Sequence, residues 1–326
     1  MQRFYELFIM LSRRLLRIKA LMCLYAYNRR NDGDVAKAES ELMLTINKSL
    51  ELYYYILLLI IDIADVAEEK INFSLNKKIK SYEDINPNRR FIENKLIKQL
   101  RNNENLKKYR ESSGNTWAIS QGLAKTLFGE IQKWDEFISY MNNEKSGFSE
   151  DKKFIIKLVT DFFPASEEFL SALEEQSIYW NDDIENIITM IEKTLRRFKK
   201  NSGADVQLMP LFKNEEDEYF VKHLFRSAIV NSKLALDLIK KNTTNWEVER
   251  IALMDVLVMQ LAINEIIEFE EIPVKVTLNE YIEIAKYYCT EKSSTFINGI
   301  LDKIVREMRE KNLYRKTGKG LLGEMK

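Results

Sequence analysis

The residues this chain lacks limit its chemistry. It holds one histidine, His223, and two cysteines, Cys23 and Cys289, far apart and without a CxxC. A nucleophilic triad would have to be built on His223. That residue lies beside Leu224 and Phe225 on a helical face and reads as a packed or surface histidine. One His and two scattered Cys do not make a zinc ligand set. Gly318-Lys319-Gly320-Leu321-Leu322-Gly323 has the spelling GxGxxG, but no strand precedes it. No ribose-binding acid can follow it at the required distance. Pairs such as Glu174-Glu175 and Glu215-Glu216 suit solvated helix faces and first turns. No enzyme, cofactor or metal chemistry is expected.

What remains is charge. Residues 1–30 carry Arg3, Arg13, Arg14, Arg17, Lys19, Arg29 and Arg30 against Glu6 alone. At 100° per residue, Arg13, Arg14 and Arg17 share one arc of a helix over about 13–28. Leu15, Ile18, Met22, Tyr25 and Ala26 lie roughly opposite and are expected to face the core. An arginine row of this kind is either a solvated face or a phosphate-binding one. Formal net charge is zero, so any polyanion must be met by a local patch of this sort.

The elements that position this row read as helices throughout. Ten Gly and four Pro in 326 residues leave little room for turns. Ser12 is a plausible N-cap for the first helix. Asn31-Asp32-Gly33-Asp34 is a turn, and a long helix follows over about 35–69. Its run Leu52–Ile61 is too short to span a bilayer and reads as buried. Between 72 and 209, helices are expected near 91–109, 117–141, 150–162, 166–178 and 184–198. Asn214 with its acidic first turn opens a helix to about 240. Trp246–Ile267 is apolar nearly all round, as a central helix should be, and Asp255 stands alone in it. Ile272–Val276 reads as an extended connector because of Pro273. Thr277 and Glu280 form a capping box for the next helix, and Ser293-Ser294 open a last one. Residues 312–326 read as a frayed basic tail. Met10 is expected to be the true start, which mass spectrometry of the native N-terminus would show.

Residue identities add a resemblance. VTLNEYIEIAKYY followed by STFINGILDKI is similar to the C-terminal end of NusB-type transcription antitermination factors. Arg13-Arg14-x-x-Arg17 with Ala20 and Leu24-Tyr25 resembles the family's first helix, and Glu218-Tyr219-Phe220 the start of its third. Trp246…Arg250…Asp255…Leu261-Ala262…Glu265-Ile266 resembles a further family motif. The chain departs from the pattern at Gln260, Asn264 and Thr295. The resemblance covers about 10–50 and 214–310. Long chains of this kind resemble the Bacteroidetes-type form of the family.

The resemblance implies an all-α fold of NusB-like helical bundles carrying a long helical insertion. The core would be residues 1–51 and 214–311, the insertion 52–213 and the tail 312–326. It implies binding of single-stranded boxA-like RNA together with the ribosomal protein NusE, within an RNA polymerase antitermination complex in a bacterial cytoplasm. Arg13, Arg14, Arg17, Tyr25, Ser293, Ser294 and Phe296 would contact RNA, and Asp255 the protein partner. The alternative is a helical scaffold or ribosome-assembly adaptor without sequence-specific RNA binding. An RNA methyltransferase, to which such modules are also fused, would need a glycine-rich α/β domain that the chain does not contain.

Overall fold

The computed structural model describes residues 11–30, 33–113, 118–243 and 251–322. All regular structure among them is helical. The chain divides into two compact units: residues 1–46 with 212–326, and residues 47–211. No helix among the described residues is long and apolar enough to cross a membrane.

In chain order, α1 spans Arg13–Arg30 and α2 Val35–Leu75. Then come α3 (Tyr82–Ile85), α4 (Lys95–Asn102), α5 (Glu104–Ser112), α6 (Ala118–Ile131), α7 (Asp135–Asn142), α8 (Phe148–Lys157), α9 (Glu167–Gln176) and α10 (Ile184–Arg197). The chain closes with α11 (Glu215–Val230), α12 (Ser232–Asn242), α13 (Leu253–Glu268), α14 (Val274–Tyr288) and α15 (Ser293–Glu310).

The first unit is organised around α13. Its residues 255–266 are all buried, and α11, α12, α14, α15 and α1 pack against it. Leu16, Ala20 and Leu24 of α1, Phe220 and Leu224 of α11, Tyr281 and Ile284 of α14, and Leu301 and Ile304 of α15 complete the core. Two buried amides of α13 are satisfied internally. Gln260 donates to Ala228 O at 2.7 Å, and Asn264 accepts from Asn231 at 3.2 Å. These bonds tie α13 to the C-terminus of α11, where Asn231 also ends the helix. The expected single helix from 214 to 240 therefore breaks into α11 and α12.

Three further expectations are corrected. First, α1 buries Leu16, Arg17, Ala20, Leu21, Cys23 and Leu24, and leaves Leu15, Ile18, Met22 and Tyr25 half-exposed and Ala26 exposed. The helix is turned away from the simple wheel because Arg17 is drawn into the core. Second, α14 starts at Val274 with Pro273 as its N-cap. Proline supplies the φ that a first turn needs and lacks only an N–H that a helix start does not use. Thr277 thus lies inside the helix, fully buried, rather than capping it. Third, residues 313–322 do not fray. Asn312, at φ 53°, closes α15 in a Schellman turn, with Leu313 N donating to Met308 O and Asn312 N to Arg309 O. The chain then returns to α13. Lys316 Nζ, buried, donates to Ile266 O and Phe269 O at 2.9 Å each, so an ammonium sits on the carbonyl end of the central helix. Gly320 lies so close that a Cβ there would be 1.9 Å from Glu270 O.

The second unit has its own aromatic core. Phe91 stacks on Phe128 and meets Phe137 and Phe154 edge-on. Leu52, Tyr53 and residues 55–61 of α2 are buried, as the apolar run predicts. The expected 91–109 helix divides because Asn103 caps a new one, its Oδ1 accepting from Asn105 N and Leu106 N. The expected 117–141 helix also divides, at Trp134, whose extended backbone precedes α7 without a side-chain cap. Helix α2 continues unbroken through Leu50.

The closing segment generates a test. Lys316→Met leaves the Ile266 and Phe269 carbonyls at the end of α13 without this donor and is expected to cost about 1–3 kcal/mol in urea unfolding. Gly320→Val is expected to expose residues 313–322 to proteolysis. Resistance equal to the parent chain would show that the segment is not held by α13.

Candidate nucleic-acid interface

Each member of the arginine row meets a carboxylate. Arg13 Nε lies 2.9 Å from Asp217 Oδ1 at the start of α11. Arg14 makes a two-pronged bond to Glu280 of α14, Nε and Nη2 each at 2.8 Å. Arg17 makes another to Glu265 of α13, both bonds 2.7 Å, with Glu280 3.7 Å from its Nη1. The three are not equivalent. Arg17 and Glu265 are 3 % and 0 % exposed, whereas the Arg13 and Arg14 side chains are 40 % and 48 % exposed.

Glu265 is a hub. Besides Arg17 it accepts from Thr277 Oγ1 at 2.8 Å and Tyr281 Oη at 3.2 Å. A carboxylate in an apolar helix must find a cation and donors, because an unpaired buried charge costs several kcal/mol. Burial works against the Arg17 charge, but Glu265 more than offsets it and the guanidinium pKa is raised. Burial, then the Glu265 charge, push the Tyr281 phenol well above its ordinary value. Phe220 lies under both Arg13 and Arg17, its centroid 5.1 and 5.2 Å from the two guanidinium carbons. Arg17 therefore belongs to the core, not to a solvent-facing row.

At the surface the Arg14 guanidinium spends Nε and Nη2 on Glu280 and leaves Nη1 outside that pair. The hydrogen bond from Arg14 holds the Glu280 carboxyl below its ordinary range. Tyr25, half-buried further along α1, has Arg29 5.6 Å from its ring centroid.

The second group of expected residues lies at the start of α15, which packs on α14. Ser293 is buried. Its hydroxyl donates to Asp255 Oδ2 at 2.8 Å and lies 2.7 Å from Thr290 Oγ1. Asp255 is 6 % exposed, so its charge sits at the positive end of α15 rather than in solvent. Burial, then Asp255, push the Cys289 thiol up to about 12, which keeps it protonated. Ser293 and Asp255 thus serve each other inside the fold. Ser294 and Phe296 are half-buried at the edge of the same turn. Trp246 and Arg250 of the family-like motif lie outside the described residues. His223 is half-buried, 2.9 Å from Glu268 and stacked on Tyr219, an ordinary packed role.

Sequence reasoning missed Asp217, Glu280 and Tyr281 as partners of the row, and Glu265 as its anchor. The available signal was chemical. Glu265 stands in a run of apolar residues and Arg17 between Leu16 and Ile18, and each implies an opposite charge within the core. Among the described residues no cluster of His, Cys, Asp and Glu is arranged to hold a metal ion.

Comparison with known proteins points the same way as the residues. Residues 189–306 match the model described as the NusB family. That span takes in α11 to most of α15 and leaves out α1. A transcription antitermination protein NusB of Salinibacter ruber (strain DSM 13855 / M31) is 40 % identical over 139 residues, 41 % of this chain and 87 % of the relative. That of Chloroherpeton thalassium (strain ATCC 35110 / GB-78) is 42 % identical over 103 residues, 32 % of this chain and 49 % of the relative. That of Clostridium botulinum (strain Alaska E43 / Type E3) is 35 % identical over 116 residues, 36 % and 82 % of the two chains. No solved structure matches the chain.

The hub is testable by a double-mutant cycle. Arg17→Met strands the Glu265 charge and is expected to destabilise the chain by about 3–5 kcal/mol in urea unfolding. Adding Glu265→Gln, which keeps acceptors for Thr277 and Tyr281, is expected to restore most of that loss. A single variant as stable as the parent would contradict the assignment.

Proposed function

The chain belongs to the NusB family, and from that premise we propose that it is a non-catalytic transcription antitermination factor working in a bacterial cytoplasm. It binds boxA-like single-stranded RNA together with the ribosomal protein NusE and joins an RNA polymerase antitermination complex. Single-stranded RNA is held by cations along its phosphates and by rings and polar groups against its bases. Arg13 and Arg14 supply the cations. Tyr25 and Phe296 supply rings, and Ser294 a hydroxyl. Arg17 and Ser293 act from behind, one fixing α1 and the other the first turn of α15.

The observation that carries this reading is the state of Arg14. Its guanidinium is held in place by Glu280, half exposed, with one edge unspent. A preset, partly solvated guanidinium suits a phosphate oxygen. Asp255 is proposed as a partner contact through its charge at the start of α15. Because it is buried, it would act on NusE by holding that turn as well as by attraction.

A second reading, a helical adaptor without sequence-specific RNA binding, is favoured by one observation. All three arginines already have carboxylate partners, so the local excess of charge is smaller than the sequence suggests.

The two readings separate in a binding assay with boxA-type RNA, with and without NusE. The first predicts that Arg14→Ala weakens binding and flattens the salt slope by about 0.7, one phosphate contact on a single strand. It also predicts that Glu280→Gln, which releases Arg14, strengthens binding. Equal affinity for boxA and scrambled RNA in both conditions would favour the adaptor. Asp255→Asn, which keeps an acceptor for the Ser293 hydroxyl, is expected to weaken NusE binding, and unchanged binding would leave Asp255 a purely internal residue.

A further inference from the structure

The second unit gathers cations that the interface on the first does not use. Asn103 Nδ2 donates to Val206 O at 2.8 Å, and Glu104 N donates to Ala204 O at 3.0 Å. Gln99 Nε2 faces the carbonyls of Lys199, Lys200 and Ser202 at 2.9, 3.2 and 3.4 Å. These bonds lay the segment after α10 against α4 and α5. Between them runs a groove of about 380 Å³ lined by Lys98, Lys107, Asn102 and Ser202, with Gly203 and Ala204. Lys199 and Lys200 lead directly into its wall.

The four lysines are exposed. None has a salt-bridge partner among the described residues. Several neighbouring cations of this unit are paired. Arg101 pairs with Asp65 and Glu68, Arg110 with Asp62, and Lys157 with Glu136. Lys152 is taken up by the carbonyls of Arg196 and Phe198. Lys108 and Arg197, also exposed, lie on the same two segments, while Glu93, Glu104, Glu111 and Asp205 are the acids nearest in sequence. In a chain with equal numbers of cations and acids, this is a segregation of charge.

We infer that this groove binds the phosphodiester backbone of RNA without reading its bases. Lysines are mobile point charges that attract phosphate without fixing its orientation. The lining holds an amide and a hydroxyl as added donors but no aromatic ring on which a base would stack. Contacts of this type position a strand and carry no sequence information. A recess with lysines along its α4–α5 wall, and two more in the segment that leads to the other, fits a strand better than the flat array of headgroups at a lipid surface. The inference stands on the second unit alone and does not require the boxA reading.

The test uses the full chain and a single-stranded RNA of mixed sequence, about twenty nucleotides long and lacking boxA. Binding is followed by fluorescence anisotropy across a salt series. The combined variant Lys98→Ala, Lys107→Ala, Lys199→Ala, Lys200→Ala changes only exposed side chains, and its circular dichroism is expected to match the parent. At about 50 mM salt its affinity for this RNA is expected to fall at least tenfold, and the salt slope by about 2–3, four contacts at ~0.7 each. Unchanged affinity and slope would overturn the inference. So would a parent chain that ignores this RNA but binds phosphatidylglycerol vesicles or polyglutamate through the same lysines. If preference for boxA is absent while the lysine dependence holds, the proposed antitermination role falls and the groove stands.

Discussion

The first unit depends on one buried charge pair. Helix α13 is buried along nearly its whole length, five helices pack against it, and Glu265 is a fully buried carboxylate where it meets α1 and α14. Arg17 of α1 satisfies it, with Thr277 and Tyr281 of α14 taking its remaining acceptor capacity. Such a pair adds little net stability over an apolar replacement, but it penalises any packing that separates its members. It therefore acts as a register pin. With Arg17 anchored, Arg13 and Arg14 are carried to the margin of α1 and meet Asp217 and Glu280 there. The exposed cations are where they are because a buried one is fixed a turn away.

Much of the fold could be read from residue types. The scarcity of Gly and Pro implied helices throughout. Asn214 and its acidic turn marked α11, where its side chain accepts from Asp217 N. The run 52–61 was buried as its composition required. The failures share a cause. A helical wheel assigns arginine to solvent, and so it misplaced the α1 face, because it cannot see a carboxylate 248 positions away. Pro273 was read as a break when it was a start. The tail looked basic and loose because the acceptors for Lys316 are backbone carbonyls, which no sequence pattern displays. The site was legible only in part. Arg14, Tyr25, Ser294 and Phe296 keep partial exposure, while Arg17, Ser293 and Asp255 are drawn inward by partners on other elements.

The match to the NusB family spans 189–306, which takes in the helices organised by α13. The departures from the family pattern at Gln260 and Asn264 are absorbed by α13 itself. Both are buried and hydrogen-bonded around the end of α11, so they alter internal packing rather than surface charge. The second unit brings a separate aromatic core and separate surface chemistry, consistent with a body that folds around its own contacts.

The arginine row divides into a structural member and exposed members, and arginine side-chain NMR reads that division directly. The Nε–Hε signals of Arg13, Arg14 and Arg17 would be followed in the full chain during titration with boxA-type RNA. The Arg17 signal is expected to be protected from solvent exchange and to stay fixed, while the Arg14 signal shifts in proportion to bound RNA. An Arg17 signal that exchanges freely and moves with RNA, beside an Arg14 signal that does not, would contradict that division.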